Sequence, residues 1–290
     1  MFDILATSLE LGLFYSLAIF GVFITFRILS FPDLTVDGSF VTGAAIAALA
    51  LKSGQPALVA LVLGFIAGFA AGALTAWLHI KVGIGKILSG IVSLSMLYTI
   101  NLRLMGRPNL SLLNQENILA WLKTPINDLL VILYLTIIVL VAKFFVDWFL
   151  KTEIGMFIRG TGDSEATVRS FGRSPNVAKF IGLSLSNAFV GLSGAFVGQY
   201  QGFVDINMGI GLIILGIAGY MVGEALMGRD TIGYLSAAVV IGSIVYQLII
   251  SISLRLGLPA TDLKFITALI VVVALVARGT RKTYGALSRY

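Results

Sequence analysis

Ser30 to Phe40 reads SFPDLTVDGSF and places two carboxylates, a proline and a glycine between two strongly apolar runs. Those runs set the class. The 290 residues are 58% hydrophobic and 12% charged, against about 45–50% and about 25% in an ordinary soluble domain. The chain reads as an all-α polytopic membrane protein, and its 32 glycines fit, because small residues let spanning helices approach closely. Windows of about 20 mainly apolar residues, long enough to cross about 30 Å, fall near 4–26, 38–51, 56–79, 86–104, 127–150, 179–200, 210–227, 231–254 and 264–278. The N-terminus carries Asp3 and Glu10 and no basic flank, so it reads as the first span rather than a cleaved signal peptide. The second window is short. Either its helix begins inside the polar stretch before it or it does not span alone. Within that stretch Pro32 donates no backbone hydrogen bond, and Asp33 or Asp37 is placed to cap the helix that follows.

Nine spans put the termini on opposite sides. Fourteen of the 20 Lys and Arg residues, Arg27, Lys86, Lys179 and the C-terminal group among them, fall on one side, and six, including Lys52, Arg103 and Arg107, on the other. The richer side is the cytoplasmic one, so the N-terminus is expected outside, with the segment 151–178 and the tail 279–290 inside. The loop 105–126 is then external, with Trp121 as an interfacial anchor.

The opening stretch has an echo. Phe31-Pro-Asp-Leu-Thr-Val36 returns as Phe203-Val-Asp-Ile-Asn-Met208, at an offset of 172, and Gly83-Ile84 returns as Gly257-Leu258, at 174. One connecting span, 127–150, separates a repeat at about 4–104 from one at about 179–278, so the two would have opposite topology within a single transmembrane domain. Inverted repeats with polar breaks at matching places are a transporter architecture. Glu10, Asp33, Thr35, Asp37, Ser39, Asp205 and Asn207 are the pathway or gate candidates, since ionisable groups in spans face a cavity or a partner.

Other chemistry is thinly represented. The chain has no cysteine and one histidine, His79, which excludes disulfides, thiolate or histidine-cluster metal sites and a hydrolytic triad. No basic face interleaved with aromatics suggests nucleic acid. No Walker A pattern occurs, so this chain cannot cradle ATP phosphates and energy must come from a partner. Asn101, Asn187 and Gln247 read as interhelical glue, Lys143 and Asp147 as a local ion pair. The Gly64, Gly68, Gly72 and Gly191, Ala195, Gln199 runs read as tight packing faces, within the subunit or across a dimer.

The longest polar stretch, Lys151 to Phe180, contains a short helix from Asp163 to Phe171, capped by Asp163 or Ser164 and stopped by Gly172. Its order, GMFIRGTGDSEATVRSFG, resembles the permease subunits of bacterial ABC importers in the branched-chain amino acid and ribose-type family. In that family this region is the coupling helix that docks on the ATPase. The resemblance assigns that role to Gly155, Arg159, Asp163, Glu165, Ala166, Arg169 and Gly172. The pattern departs from a stricter Glu-Ala-Ala-x-x-x-Gly, with Thr167 in the third place and a longer gap to Gly172. The opening FPDLTVDGSF followed by GAAIAA is similar to permeases of tryptophan, tyrosine and other small solutes.

The resemblance implies a non-enzymatic transport subunit of the bacterial inner membrane, passing a small solute, aromatic amino acids favoured, by alternating access. Its partners would be a second permease copy, a cytoplasmic ATPase dimer holding ATP and magnesium, an extracytoplasmic solute-binding protein and membrane lipid, with no cofactor on this chain. Composition and repeats equally suit an ion-gradient-driven secondary transporter or a structural membrane protein.

Overall fold

The computed structural model describes residues 2–113, 115, 128–227 and 231–257, together with 262, 265, 267–269 and 272. Ten α-helices and two short strands follow in order: α1 (Phe2–Val22), α2 (Thr35–Lys52), α3 (Ala57–Ile80), α4 (Lys86–Met105), β1 (Asn109–Ser111), α5 (Asp128–Lys151), α6 (Glu153–Asp163), α7 (Glu165–Ser170), α8 (Pro175–Gln201), β2 (Phe203–Asp205), α9 (Leu212–Met227) and α10 (Ile232–Arg255). Seven of the described helices are long and apolar enough to cross a membrane, and α9, at 16 residues, is a shorter apolar helix. The expected ninth span, 264–278, and Trp121 lie largely or wholly outside the described residues.

Burial divides the helices into an inner and an outer set. The most apolar windows of α1, α2 and α8 are each 78% buried, whereas those of α4 and α5 are 28% buried, so the first three form the core. Glycines set how close they come. Gly68 of α3 lies against the Asn187 carbonyl of α8, and Gly43 of α2 against Gly191, so tightly that a side chain at either would collide with backbone. The Gly64-Gly68-Gly72 face is therefore spent within the subunit, on Leu183, Asn187, Gly191 and Ala195 of α8.

The first break resolves the length of the second span. After α1 the chain widens into a π-helical turn, Phe23–Ile28, and reverses through Ser30, the only described non-glycine residue at positive φ (51°). Phe31 is fully buried, and Asp33 Oδ1 accepts the Thr35 N–H at 2.9 Å. The second helix thus starts at Thr35, three residues before the expected 38. Its 18 residues rise about 27 Å.

Asp37 does not cap its own helix. It sits in the first turn of α2, and its carboxylate accepts the N–H groups of Gly211 and Ile213, both at 2.9 Å. It is the cap of α9, 174 residues away. A sequence points to the nearest helix, but a first-turn carboxylate projects sideways to whatever N-terminus packs beside it.

The echo folds as strand β2, antiparallel to β1 with Asn109 opposite Asp205 and Ser111 opposite Phe203. This pairing closes the end of the molecule opposite α6 and α7. Gly162, at the end of α6, presses on the Ile28 carbonyl at the end of the π turn.

Replacing Asp37 with Ala leaves two backbone donors of α9 without their acceptor and is expected to cost about 1–3 kcal/mol. Asp37→Asn, which keeps one acceptor, should fall between. Melting temperatures of the purified proteins measure both, and an unchanged value for Asp37→Ala would remove the cap from the account.

Candidate functional site

Two polar clusters stand out from the apolar body. One lies at the first break. Asn187 of α8 donates Nδ2–H to Asp33 Oδ2 at 2.7 Å and accepts the Ser39 hydroxyl at 2.7 Å. A second chain of hydroxyls runs from Thr35 to Thr75 of α3 (2.7 Å) and on to Ser93 of α4 (2.8 Å). All these side chains are buried. Asp33, Thr35 and Ser39 are thereby brought together, and with Asp37 they join α2 to α3, α4, α8 and α9.

Asp205 and Asn207 bond none of these side chains, although the turn they begin reaches Asp37 through Gly209 and Gly211. Asp205 Oδ1 accepts the Asn207 N–H at 2.8 Å, the same turn that Asp33 makes with Thr35, and its Oδ2 accepts from Asn109 at 3.4 Å. Glu10 is separate again. Its carboxylate accepts the Tyr200 hydroxyl at 2.6 Å. Glu224 faces Arg27 at 3.9 Å, and Arg27 donates to the Tyr220 hydroxyl at 3.1 Å. The Lys143–Asp147 pair forms at 2.6 Å, and Asp147 also accepts from Ser236. Asn101 bridges α4 to the Gly38 carbonyl of α2 at 3.3 Å. Among the described residues no group of three His, Asp or Glu could hold a metal ion.

The second cluster surrounds the short helix. Thr152 caps α6 by accepting the Gly155 N–H, and Ser164 caps α7 by accepting the Thr167 N–H, each at 3.2 Å. Of the two caps read from sequence Ser164 serves, while Asp163 ends α6. Gly172, at φ +73°, stops the segment. Between these limits Glu165 turns inward. Its carboxylate oxygens lie 2.8 and 2.9 Å from Lys179 Nζ of α8 and 3.6 Å from Lys86 Nζ of α4, and Lys179 also contacts His79 Nε2 of α3 at 3.3 Å. Arg169 pairs with Glu165 at 3.6 Å and stays 66% exposed, and Phe171 beside it is 80% exposed. Ala166 and Gly172 share that open surface. Gly155 is buried under the end of α5, and Arg159 lines a separate cavity with Lys143 and Lys151.

Lys86, Lys179 and His79 are the residues the sequence reading passed over, counting the lysines only as markers of topology. A signal existed. Both lysines sit at the start of helices, where the macrodipole disfavours a cation, and a cation so placed needs a carboxylate.

Partial burial raises the Glu165 pKa, but the hydrogen bond and charge of Lys179, followed by those of Lys86, outweigh it and hold the carboxyl below the ordinary range.

The outer helices differ in what they expose. On α5 the exposed residues include Leu133, Ile137, Val141, Phe144 and Trp148, a wholly apolar stripe. On α4 the exposed face carries Ser95, Tyr98 and Thr99 at helical spacing among Ile91, Met96 and Ile100. The Ser95 hydroxyl donates to the Ile91 carbonyl at 3.0 Å, and the outward Tyr98 and Thr99 hydroxyls suit water or another protein surface better than lipid.

The family described as "Branched-chain amino acid transport system / permease component" matches residues 4–276. A tyrosine transport system permease protein of Clostridioides difficile (strain R20291) is 40% identical over 268 residues, covering 92% of this chain and 88% of that one. An uncharacterized protein of Rickettsia prowazekii (strain Madrid E) is 32% identical over 283 residues, covering 94% and 97%. The fold also matches a solved inward-facing ABC transporter described as metal-chelate type, with a TM-score of 0.51 and 17% identity over 96% of this chain and 85% of that one.

Because the folded-state pKa of Glu165 lies below its unfolded value of about 4.3, its contribution is fully present above that value and is lost as pH falls through the depressed one. Hydrogen exchange of residues 165–172, corrected for intrinsic rates, should stay constant from pH 8 to about 5 and rise in more acid solution. Glu165→Gln should show the raised exchange at every pH.

Proposed function

Because the chain belongs to the branched-chain amino acid transport system / permease component family, we propose that it forms the solute passage of an ATP-driven importer. A permease component is not itself an enzyme, and this one is a multi-span membrane permease of the ABC transporter class. Its cargo in this reading is a small solute, with aromatic amino acids favoured by the relative named for tyrosine. A second copy of the chain would complete the passage. An ATPase dimer, binding ATP and magnesium, would dock on α7, and an extracytoplasmic binding protein would deliver the solute.

The observation that carries the reading is the position of Glu165. One carboxylate on a short surface helix is tied to the beginnings of α4 and α8, so a displacement of α7 must move those helices or break its ion pairs. Arg169, Phe171 and Gly172 remain outside as the surface for the ATPase, with Glu165 coupling that surface to the helices behind it. The α4 face with Ser95, Tyr98 and Thr99 would line the passage, while the apolar α5 face would meet lipid.

The orientation proposed puts α6 and α7 in the cytoplasm of a bacterial inner-membrane protein and β1–β2 outside. The lysine and arginine imbalance supports it. So does the clustering of Lys86, Lys179, Arg169 and Arg173 around α7. The inverted repeat draws support from the matching turns at Asp33 and Asp205, from positive φ at both Gly83 (81°) and Gly257 (86°), and from exchanged packing, α3 on α8 and α10 on α1.

Reconstituted with its ATPase and binding protein in liposomes, the chain should import a radiolabelled aromatic amino acid only with ATP and magnesium. Uptake by the chain alone on an ion gradient would instead establish the secondary-transporter alternative.

The absence of native cysteine allows a second measurement without background. In the assembled complex Thr99→Cys and Ser95→Cys should react with a membrane-impermeant thiol reagent, and Ile137→Cys and Val141→Cys should not. Equal reactivity would contradict the assignment of the passage to α4.

A further inference from the structure

A cavity of about 710 Å³ opens beside the base of α5, bounded by Arg159 of α6, Met227 at the end of α9 and the start of α10. Its wall includes three cations, Lys143, Lys151 and Arg159, with Thr231, Gly233 and Tyr234 opposite them. Lys143 is paired with Asp147, but among the described residues neither Lys151 nor Arg159 forms an ion pair with a carboxylate. The start of α10 adds to the positive potential. It is a 24-residue helix whose N-cap, Thr231, makes no side-chain cap bond. Among the described residues, Asp147 Oδ2, at 3.8 Å, is the one atom within 4 Å of where a side chain at Gly233 would begin.

The level of this cavity across the membrane is set by α5. Its outward apolar stripe runs through Phe144 and Trp148, each 63% exposed, and ends at Lys151. An exposed Trp near a helix end marks the headgroup boundary. Lys151 lies about 4.5 Å beyond Trp148 along the axis and Lys143 about 7.5 Å before it. The cations therefore bracket the layer in which lipid phosphates sit. Ile154 and Met156 of α6, 47% and 53% exposed, continue the apolar surface past the mouth, where acyl chains would lie.

We propose that this cavity binds the headgroup of an anionic phospholipid from the leaflet on the α6–α7 side. The phosphate diester pairs with Lys151 and Arg159, the Tyr234 and Thr231 edge meets the glycerol, and the acyl chains follow the α5 stripe. A basic recess between spanning helices is a recognised form of anionic headgroup site. A soluble anion would gain the charge but leave the exposed Trp148, Phe144 and Ile154 surface unused. The inference rests on the chain spanning a membrane and not on what it transports.

The full chain, purified from membranes and exposed to equimolar phosphatidylglycerol and phosphatidylcholine, is examined by native mass spectrometry. Phosphatidylglycerol should be retained preferentially. The Lys151→Gln/Arg159→Gln double variant should lower the ratio of the two lipids by about tenfold or more, and Lys52→Gln, at the far end of the molecule, should not. The swapped pair Lys151→Arg/Arg159→Lys should keep the preference, which separates charge from folding. Equal retention of both lipids by the wild type, or an undiminished preference in the double variant, overturns the proposal. Displacement of the lipid by soluble glycerol phosphate at the concentration of phosphatidylglycerol itself would make the cavity a site for a soluble anion and also overturns it. A double variant that keeps the lipid but loses the ATPase would assign the cations to protein docking, with the same consequence.

Discussion

Two helices of this molecule begin at breaks within its core, and every N–H group freed there must find an acceptor without help from water. The carboxylates of Asp33 and Asp37 meet that constraint. Asp33 takes the N–H of Thr35 at the start of α2, and Asp37, one turn along, takes those of Gly211 and Ile213 at the start of α9. Each carboxyl thus supplies acceptors at the electropositive end of a helix. Asn187 then holds Asp33 from the most buried part of α8. The two breaks are consequently one structural unit, and the helices that leave them cannot be placed independently. Asn187 makes a further use of its position. It reaches Ser39 with its oxygen while its backbone carbonyl receives Gly68, so a single residue fixes the approach of α2 and α3 to α8.

Most of the helical segments could be read directly because hydropathy over about 20 residues is a long-range sum that small errors do not disturb. α3, α4, α5 and α10 begin and end within a residue or two of the expected limits. The departures come where local chemistry competes with that sum. α8 begins at Pro175 rather than 179, since proline suits the first helical turn and Lys179, one turn along, is held by Glu165. α6 was absent from the reading, because Gly155, Gly160 and Gly162 look like breakers. They are helical here, and at Gly155 and Gly162 the absence of a side chain lets α6 lie directly on α5 and on the π turn. The identity of the polar residues in the breaks was legible and their partners were not. Asp37 and Gly211 are distant in sequence, and only the packing of α2 against the 206–211 turn brings them together.

The same difference between residue and partner governs the end of the molecule that carries α7. Sequence marks Glu165 as a residue of the short helix, and a surface helix suggests an outward carboxylate. Its inward rotation follows from electrostatics. Lys86 opens α4 and Lys179 lies near the start of α8, each against the helix dipole, and Phe31 and His79 close the space between them edge to face. Two cations held together in a partly buried pocket repel unless an anion is placed between them. Glu165 is the only described carboxylate there, and α7 is oriented by that demand.

The buried spanning helices pack in two glycine-lined sets that Gly21 of α1, pressed on the Ser186 carbonyl of α8, joins to each other. α2, α3 and α8 meet through Gly43, Gly64, Gly68 and Gly191, while α1, α9 and α10 meet through Gly12, Gly216, Gly219, Gly223 and Gly242. Within either group, backbones approach too closely to slide without collision. The contacts of the α6–α7 segment are divided between them. α7 is joined by Glu165 to α8 and, through Lys179, to the end of α3. α6 rests through Gly162 on Ile28, where α1 has widened into a π turn, and through Ile158 on Gly182 of α8. An inserted π turn replaces i→i+4 hydrogen bonds with longer-range ones and occurs often at functional positions. Here it is the one irregular stretch of α1, and the surface segment bears on it directly. A force on α6–α7 thus enters the molecule at the junction of two stiff groups, on one side through ion pairs and on the other through the least regular turn of the core, rather than in the middle of either group.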